Sequence, residues 1–299
     1  MKKILVCILL FTNCTISKTY LKPLSNSFDI QGHRGCRGLM PENTIAAFIK
    51  AVELGVTTLE MDVVITKDNE VLVSHDPYFN HLITIKPNGA FVEEKEEKQL
   101  NIYAMSFAET QQYDVGKKPH PKFLQQKKLP ATKPLLKTVI DSVEAYIKLH
   151  HLPAVQYNIE TKCKPSTDNI FHPEPAKFVD LLMAVIIEKK IENRVIIQSF
   201  DVRTLQYLHQ KFTSIKTAYL FEGITTKPLS ERLQTLGFTP TIYSPAYQLV
   251  TKKQIEYCHK NGIQIIPWTV NDIAIIKQLK AWGVDGIISD YPNLAISEK

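Results

Sequence analysis

The sequence predicts an α/β protein folded as a (β/α)8 TIM barrel, because strand-like and helix-like segments alternate along nearly the whole chain. Eight β-rich runs end in polar or aromatic residues, and segments with helical apolar spacing separate them. The predicted strands are 28–33, 57–63, 154–160, 194–199, 216–221, 240–244, 263–269 and 284–289. The predicted helices are 43–54, 135–149, 174–190, 201–211, 228–236, 250–260 and 272–282. A doubly wound open sheet is the alternative, but no G-x-G-x-x-G motif opens a helix here.

Recurring glycines indicate the same alternation. Gly55, Gly237, Gly262 and Gly283 each follow a helix-like segment and stand just before a β-rich run. Glycine is favoured at such positions because it adopts the left-handed conformation that ends a helix. We therefore expect repeated βα units, with the chain after Asp290 too short for a full eighth helix.

Ionisable residues concentrate near the first two predicted strands, where they exceed what a structural core tolerates. Alternate residues of a strand share a face, so Glu60 and Asp62 are predicted to form a carboxylate pair. Residues 67–70 are typical of a hairpin turn, and a turn centred there would place His75 opposite Asp62. His33 ends the first predicted strand. Each motif alone is typical of structural residues, and it is their joint occurrence that indicates a site.

A barrel collects functional residues at the C-terminal ends of its strands, and a third carboxylate is expected there. The third strand should neighbour the second at about 4.8 Å, which brings Glu160 to Glu60 and Asp62. Three converging carboxylates repel one another and call for a cation. Ligation by oxygen alone favours one divalent cation of the Ca2+ or Mg2+ type over Zn2+, with Ca2+ preferred. Other polar or aromatic strand ends are His33, Gln198, Tyr243, Trp268 and Asp290.

These motifs, in this order, resemble the glycerophosphodiester phosphodiesterase family. The resemblance rests on H-R-G at 33–35, P-E-N-T at 41–44, E-x-D at 60–62, S-H-D at 74–76, N-I-E-T-K at 158–162, Q-S-F-D at 198–201, P-W-T-V-N at 267–271 and D-G-I-I-S-D-Y-P at 285–292. It covers most of the chain, and it implies the barrel fold with Glu60, Asp62 and Glu160 as the metal ligands.

The reaction that the resemblance implies is metal-dependent hydrolysis of a glycerophosphodiester to sn-glycerol 3-phosphate and an alcohol. His33 and His75 are the expected general acid and base, and the sequence does not assign which is which. Attack by water directly, and attack first by the glycerol 2-hydroxyl to form a cyclic phosphate, both stay open.

Four further residues have two interpretations each. Arg34 and Lys162 are predicted to contact the substrate phosphate, or else to form local ion pairs with the carboxylates. Glu42 is expected to orient His33 from outside the site, or to cap the following helix. Trp268 is predicted to line the glycerol pocket, or to belong to the core.

Two rival functions come from other classes. A related barrel enzyme, of the phosphoinositide-specific phospholipase C or sphingomyelinase D type, would use His33 and His75 in the same way. It would also need apolar rim residues for bilayer docking, and the sequence shows no obvious cluster of them. A non-catalytic lipoprotein that binds phosphodiesters is the other rival, but it would have no use for an acid-base pair.

The N-terminus predicts export. Residues 1–15 place two lysines before a short apolar run, as a secretory signal does, and that run is too short to span a bilayer. Residues 10–14 resemble a bacterial lipoprotein box in which Cys14 would be lipidated, although Asn13 departs from the usual small residue. Residues 16–27 would form a tether. We expect a periplasmic protein or a membrane-anchored lipoprotein of a bacterium.

The rest of the chain, 28–299, is assigned to the barrel, with an insertion at about 77–134 that overhangs the mouth and restricts the alcohol group. A formal charge of +6 is diffuse, and the lysine-rich part of the insertion lacks interleaved aromatic residues. We therefore expect a small-molecule substrate and no nucleic acid, while the oligomeric state is not predicted. The cysteine spacing indicates neither a zinc site nor a disulfide framework.

Overall fold

The computed structural model describes residues 28–223 and 227–297, and it shows the predicted (β/α)8 barrel. Eight parallel strands lie in the order β8-β7-β6-β5-β4-β2-β1-β9, and β3 pairs with β2 in the antiparallel sense. Their bounds are β1 Asp29–Gly32, β2 Thr58–Ile65, β3 Val71–Val73, β4 Gln156–Thr161, β5 Val195–Ser199, β6 Lys216–Phe221, β7 Ile242–Pro245, β8 Gln264–Ile265 and β9 Gly286–Ser289. All eight predicted strands are confirmed in place.

The barrel closes through backbone hydrogen bonds between the segment around β8 and the start of β9. The N–H of Asp285 donates to the carbonyl of Ile265 at 3.0 Å. The N–H of Ile288 donates to the carbonyl of Pro267 at 2.9 Å, and that of Val270 donates to Ile288 at 2.9 Å. Because Pro267 has no N–H, the ladder there is irregular, and the predicted strand 263–269 contains only two residues of regular strand.

Helices cover the outside of the barrel. Their bounds are α1 Ile45–Leu54, α2 Phe107–Thr110, α3 Leu136–Leu149, α4 Pro175–Lys189, α5 Val202–Lys211, α6 Leu229–Leu236, α7 Lys252–Lys260, α8 Ile273–Trp282 and α9 Pro292–Ile296. The seven predicted helices are confirmed. Gly55, Gly237 and Gly283 end their helices with φ of 85°, 78° and 94°, whereas Gly262 lies one residue beyond the cap of α7.

The barrel interior is apolar on one side and polar on the other. Apolar side chains from β5, β6, β7, β9 and the segment after β8 form a separate buried cluster of Ile196, Ala218, Ile242, Ile266 and Ile288. On the side of β1, β2 and β4, the buried amide of Asn158 donates to Gln31 at 2.7 Å and to Gln198 at 3.0 Å. Gln198 in turn donates to the carboxylate of Glu60 at 2.7 Å, so this polar side of the interior leads up to the carboxylates.

The hairpin of β2 and β3 has a different register from the predicted one. Val63 pairs with Val73, and the N–H of Ser74 donates to the carbonyl of Asp62 at 2.9 Å. The prediction that His75 lies opposite Asp62 is therefore wrong by one residue. The turn has three residues, 67–69, and is centred on Asp68, because the N–H of Thr66 donates to the carbonyl of Glu70 and Asn69 adopts a left-handed φ of 63°.

The chain between β3 and α3, which contains the segment predicted as an insertion, has little regular structure. It contains α2 and two short 3-10 helices, and its apolar residues pack around the outer face of the hairpin. That cluster consists of Val64, Leu72, Phe79, Ile83, Ile102, Val115 and Leu135. Since two of its members belong to β2 and β3, the insertion is fixed to the hairpin that precedes His75.

Three cysteines lie in the described residues, and all are buried free thiols. Burial raises the pKa of Cys36 and of Cys258 to about 12, so both are neutral and unreactive at pH 7. No helix within 28–223 or 227–297 is long and apolar enough to cross a membrane. The predicted signal, the tether and Cys14 lie outside the described residues.

Candidate active site

Three carboxylates meet at the C-terminal ends of two neighbouring strands. Asp62 on β2 pairs directly with Glu160 on β4, and Glu60 points to the same side as Asp62. One oxygen from each lies within 4.8 Å of the others, and all three residues are buried. The predicted convergence of Glu60, Asp62 and Glu160 is therefore confirmed.

Hydrogen bonds fix two of these carboxylates. Glu60 accepts from the backbone N–H of Arg34 at 2.8 Å and from the amide of Gln198 at 2.7 Å. Asp62 accepts from the amide of Asn43 at 2.9 Å through Oδ2. Its Oδ1 is buried without a hydrogen bond, and the ammonium of Lys162 lies 3.6 Å from it. A buried carboxylate oxygen in that state is costly unless a positive charge compensates it, and a bound cation would do so more fully.

The surroundings raise the pKa values of two of the carboxylates and lower that of the third. Burial raises the pKa of Glu60 well above its ordinary value, and the charge of Asp62 raises it further. Burial also raises the pKa of Glu160 to about 7, against the opposing charge of Lys162. For Asp62, burial is outweighed by Lys162 and Arg34, which hold its pKa below the usual range. Since repulsion of this kind is relieved by a bound cation, the donor set fits one divalent ion.

His33 is held by the last strand of the barrel. Its Nδ1 lies 2.6 Å from Oδ1 of Asp290, and its Nε2 lies 4.0 Å from Glu60. Asp290 in turn accepts from Arg37 at 2.7 Å and from Asn271 at 2.7 Å. Burial and the charge of Arg37 lower the pKa of His33 to about 4. The imidazole is therefore neutral at pH 7, with Nδ1–H donating to Asp290 and Nε2 free to accept a proton.

His75 is more exposed and is held by the insertion. Its Nδ1 lies 3.2 Å from Asp76, and burial together with the charge of Lys162 lowers its pKa. The buried ammonium of Lys133 donates to Ser74 Oγ at 2.7 Å. Ser74 Oγ donates to the carbonyl of Asp76 at 2.6 Å, so Lys133 fixes the turn that carries His75.

Both predicted phosphate-binding cations form ion pairs with the carboxylates. Lys162 Nζ lies 2.7 Å from Glu160 and 3.6 Å from Asp62. Arg34 Nε lies 3.3 Å from Asp62, and both cations also line the central cavity. The local ion-pair interpretation is thus what the structure shows, while the phosphate contact stays a prediction.

The carboxylate of Glu42 pairs with two arginines. It accepts from Arg34 Nη1 at 2.9 Å and lies 3.7 Å from Arg37. The residue that caps α1 is Thr44, whose hydroxyl accepts from the N–H of Ala47 at 3.2 Å. The helix-cap expectation for Glu42 is wrong, and its carboxylate contacts the two arginines rather than His33 itself.

Known proteins resemble this chain along its length. The model of the glycerophosphoryl diester phosphodiesterase family matches residues 33–294. The chain belongs to this family. A glycerophosphodiester phosphodiesterase of Caldanaerobacter subterraneus subsp. tengcongensis is 29% identical over 266 residues, which cover 89% of this chain and 95% of that protein.

Solved structures of similar proteins have the same fold as this chain. A Silicibacter pomeroyi protein that bears the name of a glycerophosphoryl diester phosphodiesterase superposes with a TM-score of 0.80 at 27% identity, over 90% of this chain and 91% of that one. An Oleispira antarctica phosphodiesterase, solved with the product sn-glycerol-3-phosphate, shares the fold with a TM-score of 0.70 at 22% identity, over 90% and 95%. The match of the family model to residues 33–294 therefore makes the chain an enzyme of the glycerophosphodiester phosphodiesterase family.

The active-site cavity of this phosphodiesterase has a volume of about 610 Å³. The carboxylates Glu60 and Glu160 and both histidines line it. Four aromatic side chains also line it, namely Tyr78, Phe171, Phe200 and Trp268. Trp268 lines the cavity and also packs against the core, with its ring centroid 5.6 Å from that of Phe200, and its contact with the glycerol stays a prediction.

Several side chains that contact the predicted site residues carry no role in the sequence prediction. The sequence pattern places Asp290 at a strand end without a role, and it does not mark Arg37, Asn43 or Asn271 as site residues. Asn43 and Asn271 lie inside motifs that carried the resemblance, P-E-N-T and P-W-T-V-N, which was the available signal. Arg37 stands just outside H-R-G, and nothing in the local pattern marks it.

A cation bound to the carboxylates should stabilise the folded phosphodiesterase. At a concentration of 100 times its Kd, Ca2+ should add about 2.7 kcal/mol to the free energy of unfolding, which raises the thermal midpoint. Asp62→Asn should abolish this shift, whereas Glu53→Gln on the outer surface of α1 should keep it. Differential scanning calorimetry of chelator-treated protein measures both. An equal shift in Asp62→Asn would show that the ion binds elsewhere.

Proposed function

We propose that this phosphodiesterase hydrolyses glycerophosphodiesters to sn-glycerol 3-phosphate and an alcohol with one divalent cation, Ca2+ in preference to Mg2+. The observation that carries the proposal is the buried cluster of Glu60, Asp62 and Glu160 beside two histidines in one cavity. The named activity of the relatives and the product bound to the Oleispira antarctica enzyme support the same substrate class.

Glu60, Asp62 and Glu160 would hold the cation. When bound, it would supply positive charge to the phosphoryl oxygens and orient the diester. Ca2+ suits this set better than Mg2+ because Ca2+ accepts irregular oxygen ligation, whereas Mg2+ demands a near-ideal octahedron. Arg34 and Lys162 line the same cavity, and each offers donors to the phosphate.

The two histidines would move the protons. One removes the proton of the attacking hydroxyl or water, and the other protonates the departing alkoxide. Asp290 keeps the proton of His33 on Nδ1, and it stabilises the imidazolium once Nε2 accepts a second proton. This support means that His33 needs no reorientation during turnover.

Release of glycerol 3-phosphate from a panel of glycerophosphodiesters tests the proposed reaction. We expect turnover with Ca2+, and loss of turnover in excess chelator that returns when Ca2+ is restored, because the carboxylates repel without a cation. An enzyme-coupled assay for glycerol 3-phosphate provides the measurement. Full activity after chelation would refute metal dependence, and the absence of glycerol 3-phosphate with every diester would refute the substrate class.

Changing the leaving group would assign the histidines. His33→Ala and His75→Ala should each lower kcat by about 10²-fold or more, while cation affinity changes little. The variant that lacks the general acid should recover on a p-nitrophenyl ester of glycerophosphate, since that leaving group needs no proton, and the variant that lacks the base should not. His150→Ala, outside the cavity, is the matched control. Near-normal turnover of both variants on glycerophosphocholine would contradict the acid-base roles.

We further propose that the protein is exported and that Cys14 carries a lipid anchor. The short apolar run after Lys2 and Lys3 supports export, and the residues around Cys14 support lipidation. Cell fractionation with mass spectrometry of the mature N-terminus should find a chain outside the cytosol that begins at a lipidated Cys14. Cytosolic protein that retains Met1 would refute export, and a mature N-terminus beyond Cys14 would refute the anchor alone.

A further inference from the structure

We propose that residues 117–128, here called the docking loop, bind the enzyme to an anionic lipid surface beside the mouth of the active-site cavity. The docking loop belongs to the insertion and precedes α3. Its charge, one exposed leucine and its position on the barrel all support this assignment.

The charge of the docking loop is uniformly positive. No Asp or Glu occurs in the sequence between Asp114 and Asp141. Lys122, Lys127 and Lys128 are exposed, and no salt bridge to them is found among the described residues. Lysines close to an anionic lipid surface each contribute to binding, and the contribution falls with increasing salt.

A leucine stands out from the same loop. Leu124 is 88% exposed, more than any other large apolar side chain of the described residues. The turn exposes Leu124 because Phe123 before it and Gln126 two residues after it are buried, each with 8% of its surface exposed. The N–H of Gln126 donates to the carbonyl of Phe123 at 3.0 Å, and its side chain donates to the carbonyl of Arg37 at 2.7 Å. The turn therefore holds Leu124 in water, where an apolar side chain gains by entering a bilayer interface.

The docking loop lies on the same face of the barrel as the active site. The N–H of Lys127 donates to the carbonyl of Leu39 in the loop after β1 at 2.8 Å. The ring of Phe123 lies 5.0 Å below the guanidinium of Arg37 and 6.2 Å from the ring of Tyr291. Arg37 is the residue that also binds Asp290, the partner of His33. A surface that contacts Leu124 would thus face the mouth of the cavity.

A nucleic acid is the less suitable partner for the same charges. Proteins that bind single strands stack bases on exposed aromatic rings, whereas the aromatic ring of the docking loop, Phe123, is buried under Arg37. An exposed aliphatic side chain between lysines is instead typical of interfacial membrane contacts.

Flotation with lipid vesicles tests the proposal on the full chain carrying Cys14→Ser, which removes lipidation from every arm. We expect binding to vesicles of phosphatidylglycerol and phosphatidylcholine in equal parts, and weaker binding to pure phosphatidylcholine. The triple variant Lys122→Gln, Lys127→Gln, Lys128→Gln should lower the partition coefficient on the anionic vesicles about 10- to 100-fold at 0.1 M salt. Leu124→Ser should weaken binding most clearly at high salt, where the charges are screened.

Matched controls lie on the opposite face of the barrel, where helices end before the next strand begins. Leu149 at the end of α3 is 73% exposed, so Leu149→Ser removes a comparable apolar side chain there. The triple variant Lys148→Gln, Lys190→Gln, Lys260→Gln removes the same number of exposed charges from helix ends. Both controls should bind anionic vesicles like the parent chain. All variants should keep their thermal midpoint and their turnover of soluble diester within about twofold, because none touches the cavity.

Three outcomes would overturn the proposal: no binding to anionic vesicles, equal loss in the control and docking-loop variants, or equal binding to neutral and anionic vesicles. If the docking loop bound a single-stranded oligonucleotide more tightly than vesicles, its partner would be a nucleic acid and not a lipid surface. Since vesicle binding is measured without turnover, the result does not depend on the proposed reaction.

Discussion

Three buried carboxylates, those of Glu60, Asp62 and Glu160, lie close together on β2 and β4. Their mutual repulsion determines which charged groups must lie around them. Two cations, Arg34 and Lys162, lie against the cluster, and they lower the charge that the protein must bury. The pKa values of Glu60 and Glu160 are nevertheless raised, chiefly by burial, which shows that this compensation is incomplete. The barrel therefore holds the carboxylates in an arrangement that a divalent ion completes.

The loop after β1 is shaped by the same requirement. Its backbone must bring the N–H of Arg34 to Glu60, and Arg34 adopts a left-handed φ of 50° to do so. Gly35 follows with φ of 86°, and a Cβ there would lie 2.7 Å from the backbone of Ala47 in α1. Only glycine permits this approach of loop to helix. Non-glycine residues in such conformations occur where the surrounding contacts overdetermine them, as they do here.

The sequence was sufficient for the barrel and for the carboxylates because both follow from short periodicities. A period of two places Glu60 and Asp62 on one face, and adjacent parallel strands bring Glu160 to them. The contact between His33 and Asp290 joins residues 257 positions apart, and no local pattern encodes that pairing. Glu42 was misassigned for a related reason.

The residues next to Glu42 in the sequence indicate that it caps a helix or orients His33. Folding instead places Arg34 and Arg37 beside its carboxylate. The predicted hairpin register is wrong by one residue because the turn has three residues centred on Asp68, whereas the prediction centred it between Asp68 and Asn69. Contacts set by tertiary packing are thus the part of the site that sequence patterns leave open.

The two histidines depend on different parts of the fold. His33 is supported by Asp290 at the end of the last strand, so its geometry belongs to the barrel itself. His75 stands on a turn that Lys133 fixes, and Lys133 belongs to the insertion. The insertion also carries Tyr78, which lines the cavity, and the exposed Leu124. Sequence change within the insertion can therefore alter access to the mouth and the setting of His75 together, while the carboxylates and His33 stay in place.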